Sequence, residues 1–109
     1  MFEDLEEFTA LEILELGDGG TYELYPITYK LGKYFIRTAY QPEGKTIRIL
    51  RIWVDPKAKQ VGPNYWDITS QTLIEQMLPY LKTPGGTQRR YKFTKHGIAP
   101  AARFTLGVT

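Results

Sequence analysis

The run Thr46–Asp55, with the sequence TIRILRIWVD, decides the fold because it is the most strongly β-forming stretch of the chain. Side chains of a strand point alternately to its two sides. The run therefore has two largely apolar rows, which are Ile47, Ile49 and Trp53 on one side and Leu50, Ile52 and Val54 on the other. This pattern is typical of a central strand covered on both faces. We expect a helix over one face, and a partner subunit or a ligand over part of the other.

A second strand precedes this run and predicts a β-hairpin. Tyr34–Tyr40 alternates in the manner of a strand, and the residues between the two runs, Gln41–Lys45, contain the Pro and Gly typical of a hairpin loop. Thr21–Tyr29 is also rich in β-forming residues, but Pro26 cannot donate a ladder hydrogen bond, which favours an edge strand or a break. Between these strands, Lys30–Lys33 is expected to form a turn.

One main helix is predicted over about residues 70–82. Its apolar residues recur at helical spacing and form one face: Leu73, Ile74, Met77, Leu78 and Leu81. Asp67 or Thr69 can cap its start, and Pro79 shortens or kinks its last turn. The helix is expected to pack on the sheet.

The amino-terminal residues are predicted to form a short acidic helix from Phe2 to about Phe8, which passes into a strand. Gly17–Gly20 then forms a turn. At the other end, Thr87–Thr94 and Ala102–Val108 are predicted strands. The chain is therefore expected to be a single α+β domain over residues 1–109, with an antiparallel sheet of four or five strands and the main helix on one face. Residues 1–18 form an acidic arm and residues 83–109 a basic hairpin.

Charge is distributed unevenly along the 109 residues, although the formal net charge is only +2. The first 18 residues carry seven acids and no Lys or Arg, so the remainder holds all 14 cations and five acids. A body this basic attracts polyanions. The chain lacks Cys and has one His, which excludes disulfides and most zinc sites. It has no run long enough to span a membrane and no signal-like start, so a cytoplasmic protein is expected.

The combination of cations and aromatic rings along predicted strands is typical of proteins that bind single-stranded nucleic acid. No Asp or Glu follows Glu75, which leaves the six cations beyond it without local partners. We predict a DNA- or RNA-binding protein of low sequence specificity. The predicted contact residues are Arg37, Arg48, Arg51, Trp53, Arg89, Arg90, Tyr91, Lys92, Lys95 and Arg103, with Tyr34 and Tyr40 as further stacking candidates. No metal or cofactor is expected.

The alternative hypothesis is a protein-interaction or inhibitor module of the compact kind that viruses and mobile elements encode. Exposed rings at Tyr22, Tyr25, Tyr65 and Trp66 would suit a partner protein or a homodimer. An enzyme is not expected: His96 lies in an apparent turn far from any acid, Asp55 and Asp67 are explained by a strand end and a helix cap, and Ser70 has no triad partners.

Overall fold

The computed structural model describes residues 4–98 and 102–109. Its strands are β1 (Glu6–Glu7), β2 (Thr21–Leu24), β3 (Thr28–Thr38), β4 (Gln41–Trp53), β5 (Tyr65–Ile68), β6 (Tyr91–His96) and β7 (Arg103–Val108). Helix α1 (Gln71–Leu81) lies between β5 and β6, and a 3₁₀ turn, Gly86–Gln88, follows it. The prediction of an α+β domain with one main helix is confirmed.

The strands form two sheets rather than the one that the sequence predicts. Sheet A has the order β1-β3-β4-β5, and sheet B has the order β2-β6-β7. The division occurs at Pro26, which lies buried between β2 and β3. Because proline cannot continue a ladder, Leu24 ends its strand there and β2 pairs with β6 instead of with β3.

The β3–β4 hairpin is confirmed, but its turn is earlier than predicted. Ala39 and Tyr40 form the turn, and β4 begins at Gln41, so the predicted loop is part of a strand. The predicted turn Lys30–Lys33 is also wrong, because these residues lie inside β3. Gly32 serves close packing there: a side chain at this position would overlap the ring of Phe8.

Helix α1 packs against β4 and β7, between the inner faces of the two sheets. The predicted apolar face of α1 is buried, together with Leu50, Ile52 and Val54 of β4 and with Tyr91 and Phe93 of β6. The hydroxyl oxygen of Ser70 accepts a hydrogen bond from the Leu73 amide (3.4 Å), so Ser70 caps α1 rather than Asp67 or Thr69.

No helix forms between Asp4 and Phe8, because Asp4 and Leu5 lie in a turn and a bend and Glu6–Glu7 form β1. The predicted acidic helix is therefore wrong over these residues; Phe2 and Glu3 lie outside the described residues. We refer to residues 4–18 as the acidic arm. Strand β1 in this arm runs parallel to β3, and Ile13 forms a bridge with Asp67 of β5. An extended chain allows these backbone groups to bond to the sheet, which a helix would prevent.

The acidic arm also supplies the second covering of β4. Phe8 is buried with Ile47 and Ile49, so the second apolar face of β4 is covered by the chain itself rather than by a subunit or ligand. Lys59, in the loop between β4 and β5, fixes the arm from the other side. Its ammonium group donates to Glu12 (3.0 Å) and to two loop carbonyls, and its side chain is 4% exposed.

Candidate nucleic-acid interface

Arg51 lies on the face of sheet A that the acidic arm covers. Its Nε and Nη2 atoms donate to the two carboxylate oxygens of Asp67 at 2.7 and 3.0 Å, and Nη2 also donates to the Ala10 carbonyl at 3.0 Å. The guanidinium carbon is 3.9 Å from the ring centroid of Phe8 and 4.1 Å from that of Tyr65. We refer to Arg51, Asp67, Phe8 and Tyr65 as the arginine clamp.

The arginine clamp holds the arm to the sheet. Asp67 is completely buried and also accepts from the Glu12 amide at 2.8 Å, so its carboxylate is shared between β4 and the arm. The hydrogen bond that Arg51 donates to the Asp67 carboxylate raises the pKa of the Arg51 guanidinium. Nε and Nη2 of Arg51 are engaged within the protein and its side chain is 14% exposed, so Arg51 has a structural role, and a phosphate contact at this residue stays a prediction.

Tyr91 is not available for stacking, and this prediction is wrong. Its side chain has no exposed surface, and its hydroxyl donates to the Gly86 carbonyl at 2.7 Å. Strand alternation explains the burial, because Tyr91 and Phe93 share the face of β6 that meets α1. Burial raises the pKa of the Tyr91 phenol.

Four other predicted residues are exposed or partly exposed but scattered. Lys95 donates to the Leu16 carbonyl at 2.9 Å on the inner side of sheet B. Trp53 is half-buried against Tyr65, with ring centroids 5.6 Å apart. Tyr34 packs against the Phe8 cluster, and Tyr40 lies exposed at the hairpin turn. Tyr34 and Trp53 share the face of sheet A that the acidic arm covers, Tyr40 lies at the hairpin turn, and Lys95 belongs to sheet B.

Three predicted cations are brought together on the outer face of sheet B: Arg90, Lys92 and Arg103. This face is exposed and polar, with Glu23 beside Lys92 in the register and its carboxylate 4.0 Å from Arg90. The rings of Tyr91, Phe93 and Phe104 point inward from β6 and β7, whereas the exposed ring of Tyr25, just after β2, lies beside Glu23, to which its hydroxyl donates at 3.3 Å. The cations of this face can attract a polyanion.

A different surface combines cations with an exposed ring. Beyond the amino-terminal end of α1, the helix-facing side of the β3–β4 hairpin is uncovered, and we refer to it as the hairpin shelf. Its residues follow from the register, in which Lys33 pairs with Arg48 and Phe35 pairs with Thr46. The hairpin shelf therefore consists of Lys33, Phe35, Arg37, Thr46 and Arg48.

The centre of the hairpin shelf is the pair Phe35 and Arg37. Phe35 is 49% exposed, and the Arg37 guanidinium carbon lies 5.7 Å from its ring centroid. Gly44 makes this possible, since its missing side chain leaves the space that the Phe35 ring occupies and its φ of +84° suits glycine. Among the described residues, no carboxylate pairs with Lys33 or Arg37, and Glu75 is 3.8 Å from Arg48.

Two of these residues, Lys33 and Phe35, were missed by the sequence reasoning. The signal was present, because alternation along Lys33, Phe35 and Arg37 places all three on one face. The prediction of a turn at Lys30–Lys33 interrupted the strand and hid this row. Arg37 and Arg48 are the two predicted site residues that the shelf contains.

The remaining polar candidates have structural contacts. Asp55 accepts from the Lys57 amide in the loop after β4, and His96 lies at the exposed end of β6 with Nε2 2.8 Å from the Thr105 hydroxyl. Tyr22 and Trp66 pack edge to face and share a hydrogen bond, so they are not a free pair of rings. Within residues 4–98 and 102–109, no cluster of acidic and histidine side chains could hold a metal ion.

Comparison of the chain with protein-family models, curated proteins and solved structures found no match. No helix in the described part of the chain is long and apolar enough to cross a membrane.

Proposed function

We propose that the protein binds single-stranded nucleic acid, with little sequence preference, through the hairpin shelf. The observation that carries the proposal is the half-exposed Phe35 ring beneath the Arg37 guanidinium, flanked by Lys33 and Arg48. Single-strand binders combine these two elements, because the cations follow the phosphates while the ring stacks on a base.

The same geometry supports a preference for single strands. In a duplex the faces of the bases are stacked on one another, so an exposed ring on a sheet can reach them only in an unpaired strand. The shelf offers charge and a ring face but few groups that read base edges, since Thr46 is its one neutral polar side chain. Contacts of this kind carry little sequence information.

The outer face of sheet B provides a second region of positive electrostatic potential, formed by Arg90, Lys92 and Arg103. In the proposed mode they raise the rate of encounter with a polyanion, while the shelf forms the lasting contacts. This distinction gives two sets of variants with equal changes in charge but different expected effects.

The test is a fluorescence anisotropy titration with a labelled single-stranded oligonucleotide of about 15 nucleotides, within the range of site sizes known for single-strand-binding domains. Phe35→Leu keeps an apolar side chain but removes the aromatic face, and should weaken binding about tenfold, since one stacked base contributes about 1–3 kcal/mol. Lys33→Ala with Arg37→Ala should weaken it further and reduce the slope of log K against log salt by about 1.4, or about 0.7 for each lost phosphate contact.

The matched control is Lys92→Ala with Arg103→Ala, which removes the same charge from exposed positions on sheet B. This variant should retain most of the affinity measured at moderate salt. If both double variants lose affinity equally, general charge rather than the shelf accounts for binding. If the unaltered chain shows no binding at low salt, or if a duplex competes as well as a single strand, the proposed function is wrong.

A further inference from the structure

Strand β7 has an open edge. Within the described ranges, β7 pairs with β6 alone, and no segment lies in register along its other side. Arg90 and Thr109 exchange both of their backbone hydrogen bonds, which fixes the alternation along the pair. The amides and carbonyls of Phe104, Leu106 and Val108 therefore point away from β6. Of these, the Phe104 carbonyl accepts from the Gln76 side chain at 3.3 Å.

The other edges of the described sheets have protecting features, although β1 pairs with only Gly32 and Lys33 of β3. The acidic arm bonds to β5 through Glu12 and Asp67, and β1 covers part of β3. Strand β2 is only four residues long and is followed by Pro26. Natural proteins protect edges in these ways because unpaired strands recruit other chains. Strand β7 has six residues, no proline and no bulge in its register with β6.

A groove with both polar and apolar lining lies beside this edge. It runs between β7 and α1 and is lined by Glu75, Gln76, Pro79, Tyr80 and Leu106. Tyr80 is 42% exposed, and the Arg89 guanidinium carbon lies 5.8 Å from its ring centroid. An added strand would place alternate side chains in this groove.

We propose that the edge of β7 binds the same edge of a second copy of this chain, so that two B sheets join into one six-stranded antiparallel sheet. A two-fold axis at Leu106 pairs Phe104 with the partner's Val108, and Thr105 with the partner's Gly107. Each pair then has both side chains on the same face of the sheet, as antiparallel pairing requires. The one charged residue of β7, Arg103, is opposite the partner's Thr109, so no like charges meet.

Charge complementarity beside the groove supports the second copy as the occupant. Helix α1 runs in the same direction as β7, because its start lies near Ala102 and Phe104 and its later turns lie near Leu106. The two-fold axis reverses this direction in the partner. The Tyr80–Arg89 end of one copy therefore approaches the Glu75 end of the other, and the exposed rings of the two Tyr80 residues lie near the axis.

Sedimentation of the full chain measures the association. At about 100 μM, above the micromolar dissociation constants expected of a small interface, we expect a species of twice the 12.6 kDa chain mass. Arg89→Glu and Glu75→Arg should each raise the dissociation constant of the dimer at least about tenfold. The two changes together should restore it to within about threefold, because the charges are then reversed but again complementary.

Leu106→Pro tests the strand edge itself. The Leu106 amide points away from β6, so proline removes no hydrogen bond of sheet B but prevents pairing with a second β7. The circular dichroism spectrum should be unchanged, and the protein should be monomeric. If the unaltered chain is a monomer at this concentration, the proposal is wrong. It is also wrong if a dimer persists in a folded Leu106→Pro protein and in both single charge reversals.

Association of two copies through β7 does not depend on nucleic-acid binding. The hairpin shelf shares no residue with the β7 edge or its groove. The two regions touch at one point, where Glu75 of the groove lies 3.8 Å from Arg48 of the shelf. A monomeric Leu106→Pro protein can therefore be titrated with the same oligonucleotide, and each proposal can fail while the other stands.

Discussion

Replacing Arg51 with Ala should destabilise the protein more than any change to its exposed cations. The substitution removes three hydrogen bonds, two of them to Asp67, and leaves that carboxylate buried with the Glu12 amide as its remaining donor. It also removes the guanidinium from between the rings of Phe8 and Tyr65. The acidic arm then loses its main attachment to sheet A.

The expected loss follows from the burial of the pair. Arg51 is 14% exposed at its side chain and Asp67 is 0% exposed, so solvent screens the pair little. Removing one partner of a buried ion pair costs about 3–5 kcal/mol, because an uncompensated charge remains. Domains of this size are stable by about 5–15 kcal/mol, so this loss is a large part of the total.

Urea unfolding followed by tryptophan fluorescence measures the effect, since Trp66 is adjacent to Asp67 in β5. Arg48→Ala is the matched control on the same strand: its partner Glu75 is exposed and 3.8 Å away, so its loss should cost less than about 1 kcal/mol. Arg51→Met with Asp67→Leu should recover much of the stability lost in Arg51→Ala, because no buried charge is left unpaired. Equal losses for Arg51→Ala and Arg48→Ala would refute the assignment of a clamp.

Two further predictions concern the packing of the arm and of the core. Gly32→Ala should cost about 1–3 kcal/mol, because the added methyl group meets the ring of Phe8, whereas Gly107→Ala, in open space on β7, should change the free energy of unfolding little. Tyr91→Phe should cost about 1–2 kcal/mol at neutral pH by orphaning the Gly86 carbonyl. Burial raises the folded-state pKa of Tyr91. The stabilisation of the folded state by the protonated Tyr91 hydroxyl is therefore complete below the unfolded-state pKa and declines above about pH 10. Urea titrations at pH 7 and above pH 10 should show that the difference in free energy of unfolding between the unaltered chain and Tyr91→Phe becomes smaller at the higher pH. A difference that does not change with pH would contradict this prediction.

Much of the fold is predictable from local patterns. The alternation in Thr46–Asp55 and the helical spacing from Leu73 to Leu81 each describe an element that packs on one continuous core. The division into two sheets is not predictable in this way. It depends on β2 pairing with β6, whose paired residues are 67 to 73 positions away in sequence, and local propensity carries no information about that choice.

The site was predicted less well, for a related reason. Alternation shows which side chains share a face but not which face a distant segment covers. Arg51 was therefore counted as exposed, although the acidic arm covers it, and Tyr91 was counted as a surface ring, although α1 covers it. The helix predicted for the arm was wrong for the same reason, since the sheet edges that extend it are remote in sequence.

The sealed position of Lys59 makes this residue a chemical reporter. Amines react with acylating reagents only when unprotonated and accessible, and the Lys59 ammonium is enclosed by three oxygen acceptors and the ring of Trp66. The other lysines of the described chain are more open to the reagent. The modification of Lys59, followed by mass spectrometry, therefore tracks how often the arm and its loop detach, without any engineered probe.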